Sequence, residues 1–229
     1  MRIYDLIFGS FIAVLIISNV VTIKVFEINI FFSKLIFDGG AIIFPFSYIF
    51  ADIFTEVYGY KKTRKIIWIG FFILILFNVL LYIVILLPPE ESWNRSIGQE
   101  NFEKVLGISP RIAIAGMIGY FWGEFTNSFV LARMKIIDKG GKMWNRIILS
   151  TILGQLVDTT LFCTIAFAGV IDFKSLINYI ITGYFYKVFV EFIFSPVTLL
   201  IIKKIKKIEG IDFYDYNTNF NPFAVKFVD

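Results

Sequence analysis

The stretch KIIWIGFFILILFNVLLYIVILL, from Lys65 to Leu87, decides the fold, because its one charge stands at the first position and the rest is almost wholly apolar. As an α-helix rising ~1.5 Å per residue, a run of this length reaches about 34 Å, enough for the ~30 Å hydrocarbon core of a bilayer. A helix at the surface of a soluble domain shows one apolar stripe; this one is apolar all round. Pro88-Pro89 ends it, since proline cannot donate to the helix and pushes the residue before it toward extended backbone.

Working outward, five more segments are long and apolar enough: about Ile3–Val25, Gly40–Gly59, Pro110–Arg133, Trp144–Val170 and Leu176–Lys203. The composition of the 229-residue chain agrees, with 58% hydrophobic, 19% aromatic and only 17% charged residues and a mean hydropathy of +0.77. A soluble domain of this length carries more charge. The expectation is an all-α membrane protein of six transmembrane helices, one domain over residues 1–204, with a polar cytoplasmic tail over 205–229. Arg2 precedes an apolar run too long for a signal-peptide core and lacking a small-x-small cleavage pattern, so the run reads as the first helix. Gly40–Gly59 is the weakest span, because Pro45, Asp52 and Glu56 interrupt it; a re-entrant segment is the alternative there.

Charge sets the orientation. Fourteen of the 22 Lys and Arg fall on one side: Arg2, Lys61, Lys62, Arg64, Lys65, Arg133, Lys135, Lys139, Lys142, Arg146, Lys203, Lys204, Lys206 and Lys207. Basic residues concentrate on the cytoplasmic side, which puts both termini there, as an even number of spans requires. Trp68 and Trp144 stand at the inner ends of their helices, where interfacial aromatics belong. The net charge of +4 is therefore a membrane-topology signal and gives no reason to expect a nucleic-acid partner. The single Cys163 excludes an internal disulfide, and the absence of histidine removes the commonest metal ligand and general base. No cofactor, metal or catalytic motif is present.

The polar residues inside the spans point to function. Asp52, Glu124, Asp158 and Lys187 sit near mid-span, and Glu56 and Glu191 about one turn nearer the cytoplasm. A charge at mid-bilayer costs ~2.5–3.5 kcal/mol on insertion scales, so these side chains turn away from lipid. Their helical spacing gives one polar stripe per helix: Tyr48, Asp52, Thr55 and Glu56; Tyr120, Glu124 and Asn127; Thr151, Gln155, Asp158 and Thr159; Tyr184, Lys187 and Glu191; with Ser18, Asn19 and Thr22 on the first helix. Turned inward, the stripes converge on a polar cavity. Small polar residues also bond membrane helices together, and Lys187–Glu191 at i, i+4 could be a simple buried pair. Yet five carboxylates face at most two lysines, Lys187 and Lys24, and a purely structural bundle has no use for that excess.

The residues Phe44-Pro45-x-Ser47-Tyr48-Ile49-x-x-Asp52-Ile53-x-Thr55-Glu56-Val57-Tyr58-Gly59 resemble the signature of the queuosine precursor transporters, the vitamin-uptake-type family. Further matches follow in order: Ser18-Asn19 with Lys24; Ile67-Trp68-x-Gly70; Ser150-Thr151-x-x-x-Gln155-x-x-Asp158-Thr159; and Lys187-x-x-x-Glu191-x-x-x-x-Pro196. One departure stands on the fourth helix, where Glu124-x-x-Asn127 exchanges the amide and acid of the family's usual pattern. The resemblance implies import of the 7-cyano and 7-aminomethyl 7-deazaguanine bases across a bacterial cytoplasmic (inner) membrane, for salvage into tRNA. It also implies a six-helix fold similar to the substrate-binding subunits of energy-coupling-factor transporters, working without an ATPase. The substrate-binding residues expected on this basis are Asn19, Asp52, Glu56, Tyr120, Glu124, Asn127, Gln155, Asp158, Tyr184, Lys187 and Glu191.

The nearest rival is a subunit docking on a separate ATPase, but the first helix has only Ala13 where an Ala-x-x-x-Ala docking motif would stand. An intramembrane enzyme pairing Asp52 with Asp158 lacks any nucleophile–base constellation, so no enzymatic activity is expected. The partners expected are the bilayer and a small polar cargo; monomer and homodimer both stay open.

Overall fold

The computed structural model describes residues 3–30, 33–107 and 110–225. It is mostly helical. Helix α1 (Ile3–Val21) leads into a two-stranded antiparallel hairpin, β1 (Val25–Ile30) with β2 (Ser33–Asp38), registered from Val25 opposite Asp38 to Ile30 opposite Ser33. The hairpin corrects the all-helical expectation and ends the first helix four residues early. Its physical cause is local: Val-Phe-Glu-Ile-Asn-Ile alternates polar and apolar residues at the strand period and is rich in β-branched residues.

The weak second span is helical from Gly40 to Tyr58 but divided. Helix α2 (Gly40–Ile43) passes to α3 (Pro45–Ile53) at Pro45, and a π turn covers Phe54–Tyr58. The chain then breaks at Gly59 and continues as α4 (Tyr60–Ile85), short α5 (Glu91–Ser96) and α6 (Gln99–Leu106), and three long helices, α7 (Pro110–Ile137), α8 (Met143–Phe167) and α9 (Phe173–Glu209). Among the described residues, five helices are long and apolar enough to cross a membrane: α1, α4, α7, α8 and α9. The Gly40–Tyr58 run is the candidate for a sixth. Large apolar side chains face outward along these helices, among them Leu76, Leu80 and Ile83 of α4 and Phe185, Phe189 and Leu200 of α9. In water such a surface would aggregate; in lipid it is solvated.

Helices α7 and α8 pack closely because glycine lets their backbones approach. A Cβ on Gly154 would lie 2.8 Å from that of Asn127, and one on Gly119 would lie 2.7 Å from Asp158 Oδ1. Pro196 sits inside α9 and cannot bond the carbonyl of Phe192; the Ser195 hydroxyl donates to that carbonyl instead, at 2.8 Å. At the far end of α8, Arg111 donates to the carbonyls of Ile165 and Ala168, at a helix end where carbonyls lose their partners within the helix.

Helix α9 continues past residue 204 to Glu209, and the chain beyond it is tied down. Phe213 N donates to Val57 O, Tyr60 N to Asp215 Oδ2, Arg64 to the carbonyls of Asn219 and Asn221, and Trp68 Nε1 to Pro222 O. The tail is thus fastened across the end of the bundle that holds both termini. Burial alone would raise the Asp212 carboxyl, but the Lys135 and Lys206 ammoniums outweigh it and hold it below the ordinary carboxylate range.

Gly59 is where the tail and the divided Gly40–Tyr58 run meet. Its backbone, φ +84° and ψ 165°, lies in a region open essentially to glycine alone, and a Cβ would overlap the Phe213 ring. Gly59→Ala is expected to cost about 1–3 kcal/mol from backbone strain, read as a lower thermal midpoint in detergent. Adding Phe213→Ala should relieve the overlap and leave the strain. A Gly59→Ala protein as stable as the parent would contradict this.

Candidate functional site

A cavity of about 690 Å³ lies between α1, α4, α7, α8 and α9. It reaches the surface at the end away from the termini, where its wall includes the exposed Lys104 and Val105. Its deep end is closed by Leu15, Leu74 and Tyr120, all buried. The volume falls within the roughly 300–1,000 Å³ of ordinary small-molecule sites.

The deep wall holds one charged pair. Lys187 Nζ of α9 donates to Asp158 Oδ2 of α8 at 2.6 Å, and the same ammonium stands 4.8 Å from the centre of the Phe44 ring. Phe44, Phe162, Tyr120, Tyr179 and Tyr186 supply flat apolar faces, and Asn19 and Thr182 add polar groups. The Asn19 amide is anchored on Leu15 O at 2.8 Å, and Tyr120 OH on Ile67 O at 3.3 Å. Gly123 allows this geometry: a Cβ there would lie 2.6 Å from Tyr48 OH and 2.7 Å from Asp158 Cβ. A carboxylate beside an ammonium, between aromatic faces, accepts two neighbouring donors and donates to an adjacent acceptor of a planar cargo.

Of the eleven residues singled out from the sequence, Asn19, Tyr120, Asp158 and Lys187 line this cavity. Asp52, Glu124, Asn127, Gln155 and Glu191 lie one turn nearer the termini, in a buried layer next to it. There Asn127 Nδ2 donates to Asp52 Oδ1 at 2.8 Å and Gln155 Nε2 to Glu191 Oε1 at 2.5 Å. Lys187 therefore turns to Asp158 across two helices, not to Glu191 along its own. Tyr184 is half-buried and packs edge-on against Phe185, beside the lining rather than in it.

Glu56 belongs to a third group, nearer still to the termini. It is fully buried and takes a forked pair from Arg146, at 2.9 Å (Nε to Oε2) and 2.7 Å (Nη2 to Oε1), with Lys206 Nζ at 2.5 Å. Lys135 Nζ donates to the Glu56 carbonyl at 2.6 Å and reaches Asp212 at 2.5 Å. This corrects the count of five acids against two lysines. Arg146, Lys135 and Lys206 read in the sequence as surface charges of the cytoplasmic side, and they fold back onto Glu56. What brings Glu56 within their reach is the end of α3 and its π turn at Gly59, which sets it level with the turn between α7 and α8. Of the aromatic wall, Tyr120 was legible from its polar stripe, whereas Tyr179 and Tyr186 were not, because they look like any other lipid-facing rings. Cys163 is buried and touches the cavity.

Comparison with known proteins matches residues 38–201 to the family described as "Putative vitamin uptake transporter". The chain is also similar to a protein of Bacillus subtilis (strain 168) named "Probable queuosine precursor transporter", 27% identical over 158 residues that cover 69% of this chain and 68% of that one. No solved structure gives a significant match. The matched span runs from the end of the hairpin nearly to the end of α9, and includes both the Asp158–Lys187 pair and the buried acidic layer.

Proposed function

The chain belongs to the vitamin uptake transporter family, and from that premise we propose that it imports queuosine precursors, the 7-cyano and 7-aminomethyl 7-deazaguanine bases. It does so as a six-span protein of the bacterial inner membrane, with the Gly40–Tyr58 run as the sixth span and both termini cytoplasmic. The observation that carries the reading is the Asp158–Lys187 pair at the bottom of an aromatic-walled cavity. A deazaguanine edge presents an exocyclic amine, a ring N–H and a carbonyl in a row. Asp158 accepts from the first two and Lys187 donates to the third, so the cargo replaces the 2.6 Å pair without stranding either charge. Asn19 and Tyr120 border the same space. The cavity faces outward and the tied-down tail closes the cytoplasmic end, which supports an outward-open state.

Transport by the protein alone separates this from a subunit that needs an ATPase. In liposomes holding only the purified chain, both bases enter. An inside-negative potential contributes ~2.3 kcal/mol per 100 mV to a monovalent cation, or on the order of 50-fold accumulation at ~1.36 kcal/mol per tenfold. Collapsing the potential is therefore expected to reduce uptake of the cationic aminomethyl base more than that of the neutral cyano base. Absence of uptake without an ATPase would favour the rival.

A further inference from the structure

Glu124 is fully buried, and neither of its carboxylate oxygens has a hydrogen-bond partner. Around it the same is true of Tyr48 OH, Asn127 Oδ1, Ser128 Oγ and Gln155 Oε1. Two of these, Tyr48 and Ser128, are hydroxyls that donate as well as accept. The amide nitrogens of Asn127 and Gln155 are spent on Asp52 and Glu191, which leaves their carbonyl oxygens as unused acceptors. The layer holds more acceptors than donors, and it holds three carboxyl groups.

The groups that face Glu124 come from every helix around it. They are Tyr48 and Asp52 of α3, Asp158 of α8, Glu191 of α9 and Tyr120 one turn earlier on α7. Lys187, whose charge reaches Glu191, is held by Asp158. Lys135, Arg146 and Lys206 are engaged at Glu56, and the one buried charge of α4, Arg64, bonds tail carbonyls. Asp52, Glu124 and Glu191 therefore share a buried layer without a cation of their own. An unpaired ionised carboxylate is strongly disfavoured in such a place. A proton on the carboxyl removes that charge and adds a donor to a layer whose free ones are the Tyr48 and Ser128 hydroxyls, with carbonyl oxygens of Asn127 and Gln155 left to accept. Among the described residues no group of three or more His, Cys, Asp or Glu is arranged to hold a metal ion.

We infer that Glu124, flanked by Asp52 and Glu191, is a proton-binding site that couples cargo entry to the proton gradient. The inference rests on the transporter reading and adds a coupled ion to it. The layer lies between the two ends of the path: Asp158 borders the cavity, and Asp52 feels Glu56 on the termini side. A proton arriving from the cavity occupies the Glu124 carboxyl, crosses with the cargo, and leaves at the other end with the carboxylate restored.

The test uses the intact protein in liposomes and the neutral 7-cyano base, with two assays. Gradient-free counterflow measures whether cargo crosses at all. Accumulation under an inside-alkaline pH gradient measures coupling, and one proton per cargo gives a limit of about tenfold per pH unit. For the wild type, the gradient raises accumulation and cargo entry acidifies a lumenal pH dye. For Glu124→Gln, which keeps the shape of the neutral acid, the ratio of gradient-driven to gradient-free uptake falls to one. Failure of wild-type counterflow would sink the transporter reading and the coupling with it. Counterflow without lumenal acidification, drive by a sodium gradient instead, or a Glu124→Gln protein still responding to pH would each overturn the proton site alone. Where Glu124→Gln does not fold, the dye measurement on the wild type still tests the coupling, and Glu124→Asp, which keeps the carboxyl, is expected to retain the response to pH.

Discussion

Glu56→Ala unfolds in detergent at a temperature where the parent is intact. The side chain is fully buried, and its two oxygens hold the guanidinium of Arg146 and the ammonium of Lys206, with Lys135 3.6 Å away. Removing one member of a buried ionic group leaves the others charged and without compensation, at a cost of about 3–5 kcal/mol. That is a large share of the net stability of any folded chain. In a protein of this length it corresponds to a fall in the thermal midpoint of roughly 6–20 °C. Glu56→Gln should lose nearly as much, because the amide keeps the shape but not the charge. Lys206→Met should lose less, since Lys206 is partly exposed and Arg146 still supplies a forked pair to Glu56. Equal midpoints for Glu56→Ala and the parent would mean that the cluster is hydrated and each cation finds water.

Asp158→Asn abolishes efficient uptake while leaving the protein folded. In the proposed complex the carboxylate accepts two cargo donors; an amide in its place offers at best one acceptor and sets an N–H against an N–H. Hydrogen bonds to charged groups contribute about 1.5–3 kcal/mol each. Loss of both weakens apparent affinity by on the order of a hundredfold or more. Lys187 also loses its 2.6 Å partner, so Lys187→Met added to Asp158→Asn should cost less than the two changes measured separately. Saturation curves of counterflow across the four proteins make the cycle. Full additivity would mean that the two residues serve separate purposes, and an unchanged curve for Asp158→Asn would remove it from the site.

The membrane character of the chain was legible because a bilayer imposes a length and an apolar composition that no tertiary contact needs to confirm. Lys65–Leu87 announces it alone, and the helix ends at Pro88 and Pro110 follow from proline chemistry. The hairpin after α1 was also legible in principle, through the alternation of Val25–Ile30, but an apolar run next to a span reads as more span until its period is examined. The inward-facing polar stripes, too, came from spacing, and the burial of Asp52, Glu124, Asp158 and Glu191 agrees with them.

By itself, then, the sequence determined that this chain lives in lipid, which faces of its helices turn from lipid, and which family it joins, since each of these is written in local pattern along one segment at a time. Only the tertiary structure decided how the acids are shared out. Asp158 takes Lys187 in a cavity, Glu56 takes three cations from distant helices, and Glu124 is left with none. The reason is that helical phase tells which way a side chain points, whereas pairing depends on the depth and rotation of neighbouring helices, and those are set by close contacts such as Gly123 against Tyr48 and Asp158.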